Sequence, residues 1–526
     1  MTPADARPSQ PIGAAVMLQA ARDSGVEVCF ANPGTTEMPF VGALDSVPGV
    51  RAVLGLFEGV CTGAADGYGR MSGKPALTLL HLGPGLANGL ANLHNARRAR
   101  TPIVNLVGDH ASWHLQYDAP LTSDIESLAR PVSGWYRSVA TAADLAQDTC
   151  DAIAAANGAP GIISTLVVPV DFQQKAAPAQ RQQAPAITQP AGFNAQQVAA
   201  VAEVLRSGSG ARAVLLLGDK ALSARGQIAA GRIAAATGAR LYSETFPART
   251  ERGGGLPDID RLPYFPEPAI AALADACVVL AAAIAPVAYF GYEGLPSLLA
   301  PTESLLTLAQ PGEAADLALE ALAEALGAAG TVAALAPKRH AIAPGPLTPL
   351  AVGQIVSNAL PDQAIISVEG GTCGYPFVTA SAGSARHTIL TNTGGAIGQG
   401  LPVALGAAIA CPQRRVLALQ SDGSAQYTVQ ALWTMARERT SVIVLIASNK
   451  RYGILQTELG RSGLPLDGPN ARNLTLLDDP AFDWIALAKG YGVPASRAAT
   501  TTDLEQAIAA ALTRHDGPSL IEMVLP

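Results

Sequence analysis

Charge is scarce in this chain, and basic charge scarcer still. Of 526 residues only 15% are Asp, Glu, Lys or Arg, and the formal net charge is −7. A chain so short of Lys and Arg lacks the basic face that neutralises a phosphate backbone, which argues against nucleic acid as a partner. Although 49% of residues are hydrophobic, no apolar run reaches the roughly 20 residues needed for a membrane-spanning helix. The opening MTPADARPSQPIGAAV lacks a basic stretch followed by a long apolar core, so no secretory signal is expected there. The six cysteines (Cys29, Cys61, Cys150, Cys277, Cys373, Cys411) are scattered without metal-ligand spacing. They fit reduced, mostly buried thiols of a cytoplasmic protein. No short-period repeat is present. What remains, with 52 glycines and alanine-rich helices, is the composition of a large, tightly packed α/β enzyme of two or three domains.

Two Pro-rich segments, the first also rich in Gln, lack both helical and strand periodicity: Lys175–Gly192 and Ala336–Pro349. They read as linkers (175–192 and 336–349) separating blocks 1–174, 193–335 and 350–526. Each block alternates β-branched runs with amphipathic helices. VEVCFANPG, PALTLLHLG, PIVNLVGDH and GIISTLVVPV stand in the first, AVLLLGDK and ACVVLAAAI in the second. AIISVEGG, RVLALQSDG, SVIVLIASN and SLIEMVLP stand in the third. The expected fold class is α/β, with three doubly wound parallel-sheet domains.

The most telling stretch is Ser421–Leu455. The apolar run VLALQ reads as a buried parallel strand that delivers Asp422, Gly423 and Ser424 at its C-terminal end. A helix is expected over Tyr427–Arg437, with Val429, Leu432, Trp433 and Met435 on its apolar face. A second strand then delivers Asn449, 27 residues after Asp422. One βαβ crossover brings two such strand ends together at the edge of the sheet where ligands bind. A carboxylate, an amide and loop carbonyls form an all-oxygen set suited to Mg²⁺ carrying phosphate oxygens. The alternative is a pair of ordinary strand-end turns. In the first block Glu58 follows the apolar run VLGLF at the start of a helix rich in small residues. A carboxylate in such company needs a partner or a raised pKa, unless it is a helix-start Glu stabilised by exposed amides and the dipole.

Taken whole, Ser421–Leu455 resembles the thiamine-diphosphate signature of the decarboxylase and acetolactate synthase family, in which a Gly-Asp-Gly triplet is followed at similar spacing by Asn. Ser421 replaces the first Gly, whose usual role is to let backbone approach the diphosphate. The resemblance implies that Asp422, Asn449 and the carbonyl of Arg451 hold Mg²⁺. It also implies that Gly423, Ser424, Tyr452, Gly453 and Ile454 line the cofactor. FEGVCTGAADGYGRMSGKPA (Phe57–Ala76) is similar to the family segment whose glutamate contacts the aminopyrimidine ring. In that role Glu58 hydrogen-bonds N1′ and drives the 4′-amino group towards its imino form, which removes the C2 proton. The three blocks are then the pyrimidine-binding, central and diphosphate-binding domains.

The remaining motifs stand closest to benzoylformate decarboxylase. FANPGTTEMPF (Phe30–Phe40) looks like the loop carrying a hydroxyl residue beside the substrate, with Thr35 in that position. LLHLGPGLANGLANLHNA (Leu79–Ala96) matches the segment with an active-site histidine, placing His81 in proton transfer; a strand-end histidine bonded to backbone is the other reading. NTGGAIGQGLPVALGAA (Asn392–Ala408) resembles the segment that bends the cofactor, with Ile397 wedged between its rings and the carbonyl of Gly395 accepting from the amino group. EGGTCG (Glu369–Gly374) offers Gly371 and Thr372 along the diphosphate and thiazolium. Two departures concern the substrate. Phe290 or Gly291 stands where that enzyme has a second histidine, and the bulkier Ile454, followed by Leu455, replaces a small pocket residue. His110 and His114 reach the site from a mobile loop or are ordinary surface histidines.

The resemblance implies a thiamine-diphosphate- and Mg²⁺-dependent lyase acting on small 2-oxo acids, passing through an enamine to an aldehyde. It also implies active sites shared between subunits of a homodimer or homotetramer, with neither nucleic acid nor membrane as partner. Three alternatives remain. One is an acetolactate-synthase-type carboligase, some of which carry FAD, although AVLLLGDKALSARG shows no specific flavin signal. The others are a 2-hydroxyacyl-CoA or oxalyl-CoA lyase, and a non-catalytic paralogue.

Overall fold

The computed structural model of the protein describes residues 10–178, 192–209, 212–328, 330 and 335–526. The first block contributes strands β1 (Val28–Asn32), β2 (Arg51–Leu54), β3 (Ala76–His81), β4 (Ile103–Asp109), β5 (Trp135–Ser138) and β6 (Ile163–Pro169). The second contributes β7 (Ala213–Leu217), β8 (Arg240–Ser243), β9 (Arg249–Arg252), β10 (Asp260–Arg261), β11 (Cys277–Ala281) and β12 (Leu305–Ala309). The third contributes β13 (Ala364–Val368), β14 (His387–Thr391), β15 (Val416–Ser421), β16 (Val442–Ser448), β17 (Ala495–Ala498) and β18 (Ser519–Val524).

The chain forms two compact units. One holds the described residues of 1–188, 394–497 and 510–524, the other those of 189–393, 498–509 and 525–526. In the first unit a parallel sheet runs β2-β1-β3-β4-β6-β5, and a second run of strands has the order β17-β18-β16-β15. In the second unit the sheet β10-β8-β7-β11-β12 is parallel, β13 pairs parallel with β14, and β14 pairs antiparallel with β9. The strands β3, β4, β6, β7, β13, β15 and β16 are buried along almost their whole length. Near-continuous apolar runs, rather than alternation, are what parallel strands covered on both faces require. β9 (RTER) escapes that pattern because it is an edge strand, half-buried throughout.

Of the two expected linkers, residues 179–191 of the first lie outside the described residues; residues 336–345 of the second carry neither helix nor strand. The helix expected over Tyr427–Arg437 is broken. A short α turn spans Asp422–Ala425, a 3₁₀ turn Gln426–Thr428, and regular helix resumes at Ala431–Arg437. Of its expected apolar face, Val429, Leu432 and Met435 are buried and Trp433 is half-buried. Among the described residues no helix is long and apolar enough to cross a membrane.

One packing feature of the first unit fixes the site. Helix Glu58–Ser72 is buried on nearly every side and lies against helix Gly400–Ala410. A methyl group on Gly67 would overlap the carbonyl of Val403, and one on Gly406 would overlap the carbonyl of Ala64. Small residues let the two backbones touch. That contact positions the start of one helix, with Glu58, relative to the loop that precedes the other.

Candidate active site

The parallel sheet of the first unit presents its C-terminal edge as a series of functional loops. Thr35–Glu37 follow β1, Glu58 follows β2, His81 ends β3, and Asp109 ends β4. This is the edge where open α/β sheets bind ligands. Glu58 is the first residue of its helix and 6% exposed, and its Oε2 accepts from Asn88 Nδ2 at 3.0 Å. The helix N-terminus favours its negative charge. Gly85 lies between Glu58 and His81: a β-carbon there would sit 3.0 Å from Glu58 Oε1 and 3.4 Å from His81 Cβ. The Glu58 carboxylate and the base of the His81 side chain are thereby brought to the same glycine. Burial and the nearby Glu58 carboxylate both push the Cys61 thiol up, so that cysteine stays protonated and inert.

His81 is oriented from behind. Its Nδ1 lies 2.9 Å from Oε2 of Glu37 and 3.3 Å from the hydroxyl of Thr36. Glu37 is fully buried and accepts from Gly34 N at 2.7 Å and from Thr36 Oγ1 at 2.6 Å. With Nδ1 engaged, Nε2 is the ring nitrogen left to face a ligand. Thr35, on the same 3₁₀ turn, is exposed. The turn closes tightly because Gly34 leaves room for the imidazole and Gly108 leaves room for the Glu37 carboxylate. Asp109 is raised, chiefly by burial, with Glu37 adding to the effect. Glu37 was not among the sequence candidates. A lone Glu in a turn gives no sign of burial until Gly108 of β4 is placed beneath it.

The loop carrying Gly395 and Ile397 is clamped by helix Leu82–Ala99. Asn95 donates to the carbonyl of Ala396 at 2.8 Å and accepts from its N–H at 3.2 Å. His94 Nε2 lies 3.1 Å from the carbonyl of Gly394. Asn92 donates to the carbonyl of Gly59 at 2.7 Å and to that of Gly398 at 3.4 Å, where Thr428 Oγ1 also donates at 2.8 Å. Gly395 (φ +80°) and Gly398 (φ +94°) occupy the left-handed region that only glycine enters without cost. The loop ends on Gln399, which donates at 2.9 Å to Asp66, a fully buried carboxylate that also pairs with Arg70 and accepts from Thr101. These clamps were likewise missed by sequence reasoning. Asn88, Asn92 and Asn95 nevertheless fall on one helical face (i, i+4, i+7), a polar stripe in an otherwise small and apolar helix.

The second cluster of the first unit lies where β15 and β16 end side by side, with Ser421 paired to Ala447. Asp422 is 1% exposed; its Oδ1 accepts from Gly423 N at 2.8 Å and its Oδ2 from Lys450 N at 2.6 Å. Burial raises its pKa against the opposing pull of these N–H groups. Asn449 Oδ1 accepts from Arg451 N at 3.3 Å. The loop is anchored by Tyr452 N to the carbonyl of Thr475 (2.8 Å) and by Leu477 N to the carbonyl of Lys450 (2.7 Å). Gly423 must lack a side chain because the ring of Tyr452 occupies that space, and Ser424 Oγ donates to the carbonyl of Ser421 at 3.1 Å. Ser421 has φ −98°, ψ 152°, ordinary extended backbone that any residue adopts, so the serine strains nothing. A buried carboxylate, a side-chain amide and a backbone carbonyl are hard oxygen donors of the kind that suits Mg²⁺. Helix Gly453–Arg461 has no buried residue, and Ile454 and Leu455 on its first turn are exposed.

In the second unit Gly371 and Thr372 begin helix Gly371–Ala380, after Gly370 at φ +95°. The preceding Glu369 is buried and accepts from Asn392 Nδ2 at 3.3 Å. Phe290, at the position with no imidazole, is exposed.

Residues 12–128 match the thiamine pyrophosphate enzyme N-terminal TPP binding domain, and residues 372–523 the C-terminal TPP binding domain. The chain is 49% identical over 98% of its length to 99% of a Mycobacterium tuberculosis protein named "Putative acetolactate synthase large subunit IlvX". It is 31% identical, over 95% of its length and 96% of the relative, to benzoylformate decarboxylase of Pseudomonas aeruginosa. Among solved structures, the thiamine diphosphate-dependent 4-hydroxybenzoylformate decarboxylase of Rhodococcus jostii RHA1 superposes with a TM-score of 0.84 at 25% identity, covering 98% of this chain and 99% of that one.

Proposed function

Since the chain belongs to the thiamine pyrophosphate enzyme family, we propose that it is a thiamine-diphosphate- and Mg²⁺-dependent enzyme that decarboxylates a small 2-oxo acid. The observation that carries this reading is the juxtaposition of buried Glu58 and His81 across Gly85. When bound, thiamine diphosphate supplies the carbanion-stabilising chemistry that no side chain can. Glu58, held by Asn88, is the carboxylate that shares a proton with the aminopyrimidine. His81, with Nδ1 fixed by Glu37, holds or delivers a proton through Nε2. Thr35 contacts the substrate from the neighbouring turn. Asp422, Asn449 and the Arg451 carbonyl hold the metal, while Gly423, Ser424, Tyr452, Gly453 and Ile454 lie along the diphosphate side. Gly395 and Ile397 fix the cofactor's bend, and Gly371 and Thr372 lie along its diphosphate and thiazolium. The working protein is a homodimer or homotetramer with sites between subunits.

Carboligation is the second reading, favoured by the 49% identity to the relative named as an acetolactate synthase subunit. Both outcomes would use the same residues and differ in whether a proton or a second carbonyl compound adds to the decarboxylated group before release. A panel of 2-oxo acids with thiamine diphosphate and Mg²⁺, scored for CO₂ and carbon products together, separates them. Aldehyde supports the decarboxylase, a hydroxy ketone or acetohydroxy acid supports the carboligase, and no turnover of any acid contradicts both.

A further inference from the structure

Arg261, at the end of β10, has its guanidinium stacked 3.8 Å from the ring centre of Tyr375 and 5.6 Å from that of Phe246. Among the described residues it has no carboxylate or carbonyl partner. It lines a cavity of about 30 Å³ in the second unit, together with Arg252, Glu251, Thr250, Thr391 and Gln227. The Arg252 side chain is 14% exposed, donates from Nη1 to the carbonyl of Ile259 at 3.1 Å, and has a buried Nε without a partner. Its nearest carboxylate, Asp258, is 3.7 Å away and 57% exposed.

The one carboxylate in the wall is already engaged: Glu251 accepts from Arg249 at 3.2 and 3.0 Å and from Thr388 at 3.1 and 3.0 Å. Thr250, Thr391 and Gln227 all donate to backbone carbonyls. Open donors therefore belong to the two arginines, and an unpaired buried cation is costly. Burial lowers both guanidinium groups, Arg261 to about 10 with Arg252 adding to the effect, while Asp258 and Asp260 oppose it at Arg252.

We propose that this cavity binds one small monovalent anion of chloride size between Arg252 Nε and the Arg261 guanidinium. The volume admits an ion of about one to two water volumes and excludes phosphate esters, nucleotides and flavins. The anion would offset one of the two positive charges, give both guanidinium groups an acceptor, and hold Arg261 against Tyr375, whose ring packs on Gly371.

Thermal unfolding of the full chain at fixed ionic strength tests the site, with chloride exchanged stepwise for gluconate, which is too large to enter. Chloride is expected to raise Tm saturably, and Arg261→Met, which keeps an apolar stem on Tyr375, is expected to lose that rise. Should that variant fail to fold, Arg261→Lys is expected to need more chloride for the same rise, because the fork geometry is lost. The same Tm in gluconate and chloride, or a chloride midpoint unchanged in whichever arginine variant folds, would overturn the proposal.

Discussion

The roles proposed for His81 and Glu58 depend on neighbours that the sequence does not advertise. His81 is aimed by Glu37, and Glu58 is held by Asn88. His81→Ala should lower kcat by about 10²-fold or more. Glu37→Gln should lower it less, because the amide can still meet Nδ1 but no longer fixes the ring's tautomer. Thiamine diphosphate affinity, read by fluorescence titration, should not change in either variant; lost affinity would move both residues into cofactor binding. For Asp422 the sign of the pH effect follows from its raised pKa. In the metal-free protein the stability it contributes is present below the ordinary carboxylate range and lost as pH rises through the folded value. Metal binding needs the ionised form, so Mg²⁺-dependent cofactor affinity should fall as pH falls through that same raised value. Asp422→Ala should abolish the Mg²⁺ dependence, and a metal-dependent affinity that survives the change would refute the site.

Helices and loops, rather than single residues, set the segment proposed to bend the cofactor. Asn95→Ala leaves the N–H and carbonyl of Ala396 without their side-chain partner, a loss of about 1–3 kcal/mol that should appear as weaker cofactor binding in a titration. Gly67→Ala forces a methyl group against the Val403 carbonyl. It should cost about 1–3 kcal/mol through overpacking, measured by denaturant unfolding; an unchanged midpoint would mean the two helices separate freely. At this scale the sequence was readable where strands are apolar throughout, as in VLALQ and SVIVLIAS, and where a polar residue stands at their C-terminal ends. It was unreadable where pairing is remote. Asn95 and Ala396 are 301 residues apart, and the charged edge strand RTER has no apolar pattern to betray it. The break at Gln426–Thr428 was hidden too, because helical spacing of apolar residues persists across a 3₁₀ turn.

At the scale of the whole molecule, the alternation of strands and helices was enough to indicate an α/β fold, and the superposition with a decarboxylase structure at TM-score 0.84 agrees with it. Substrate identity was not legible, because the residues proposed to face the substrate, Thr35, His81 and Ile454, stand far apart in the chain. If the sites lie between subunits, as proposed, dilution should reduce activity together with mass in sedimentation, whereas full activity in a monomer would reject the shared site.

The most direct measurement is deuterium exchange at C2 of thiamine diphosphate bound with Mg²⁺, in the native protein and in Glu58→Ala. The native protein should accelerate exchange, and the variant should bind the cofactor yet lose about 10²–10⁴-fold of that rate. Equal exchange in the two proteins would contradict the role of Glu58 and the mechanism built on it.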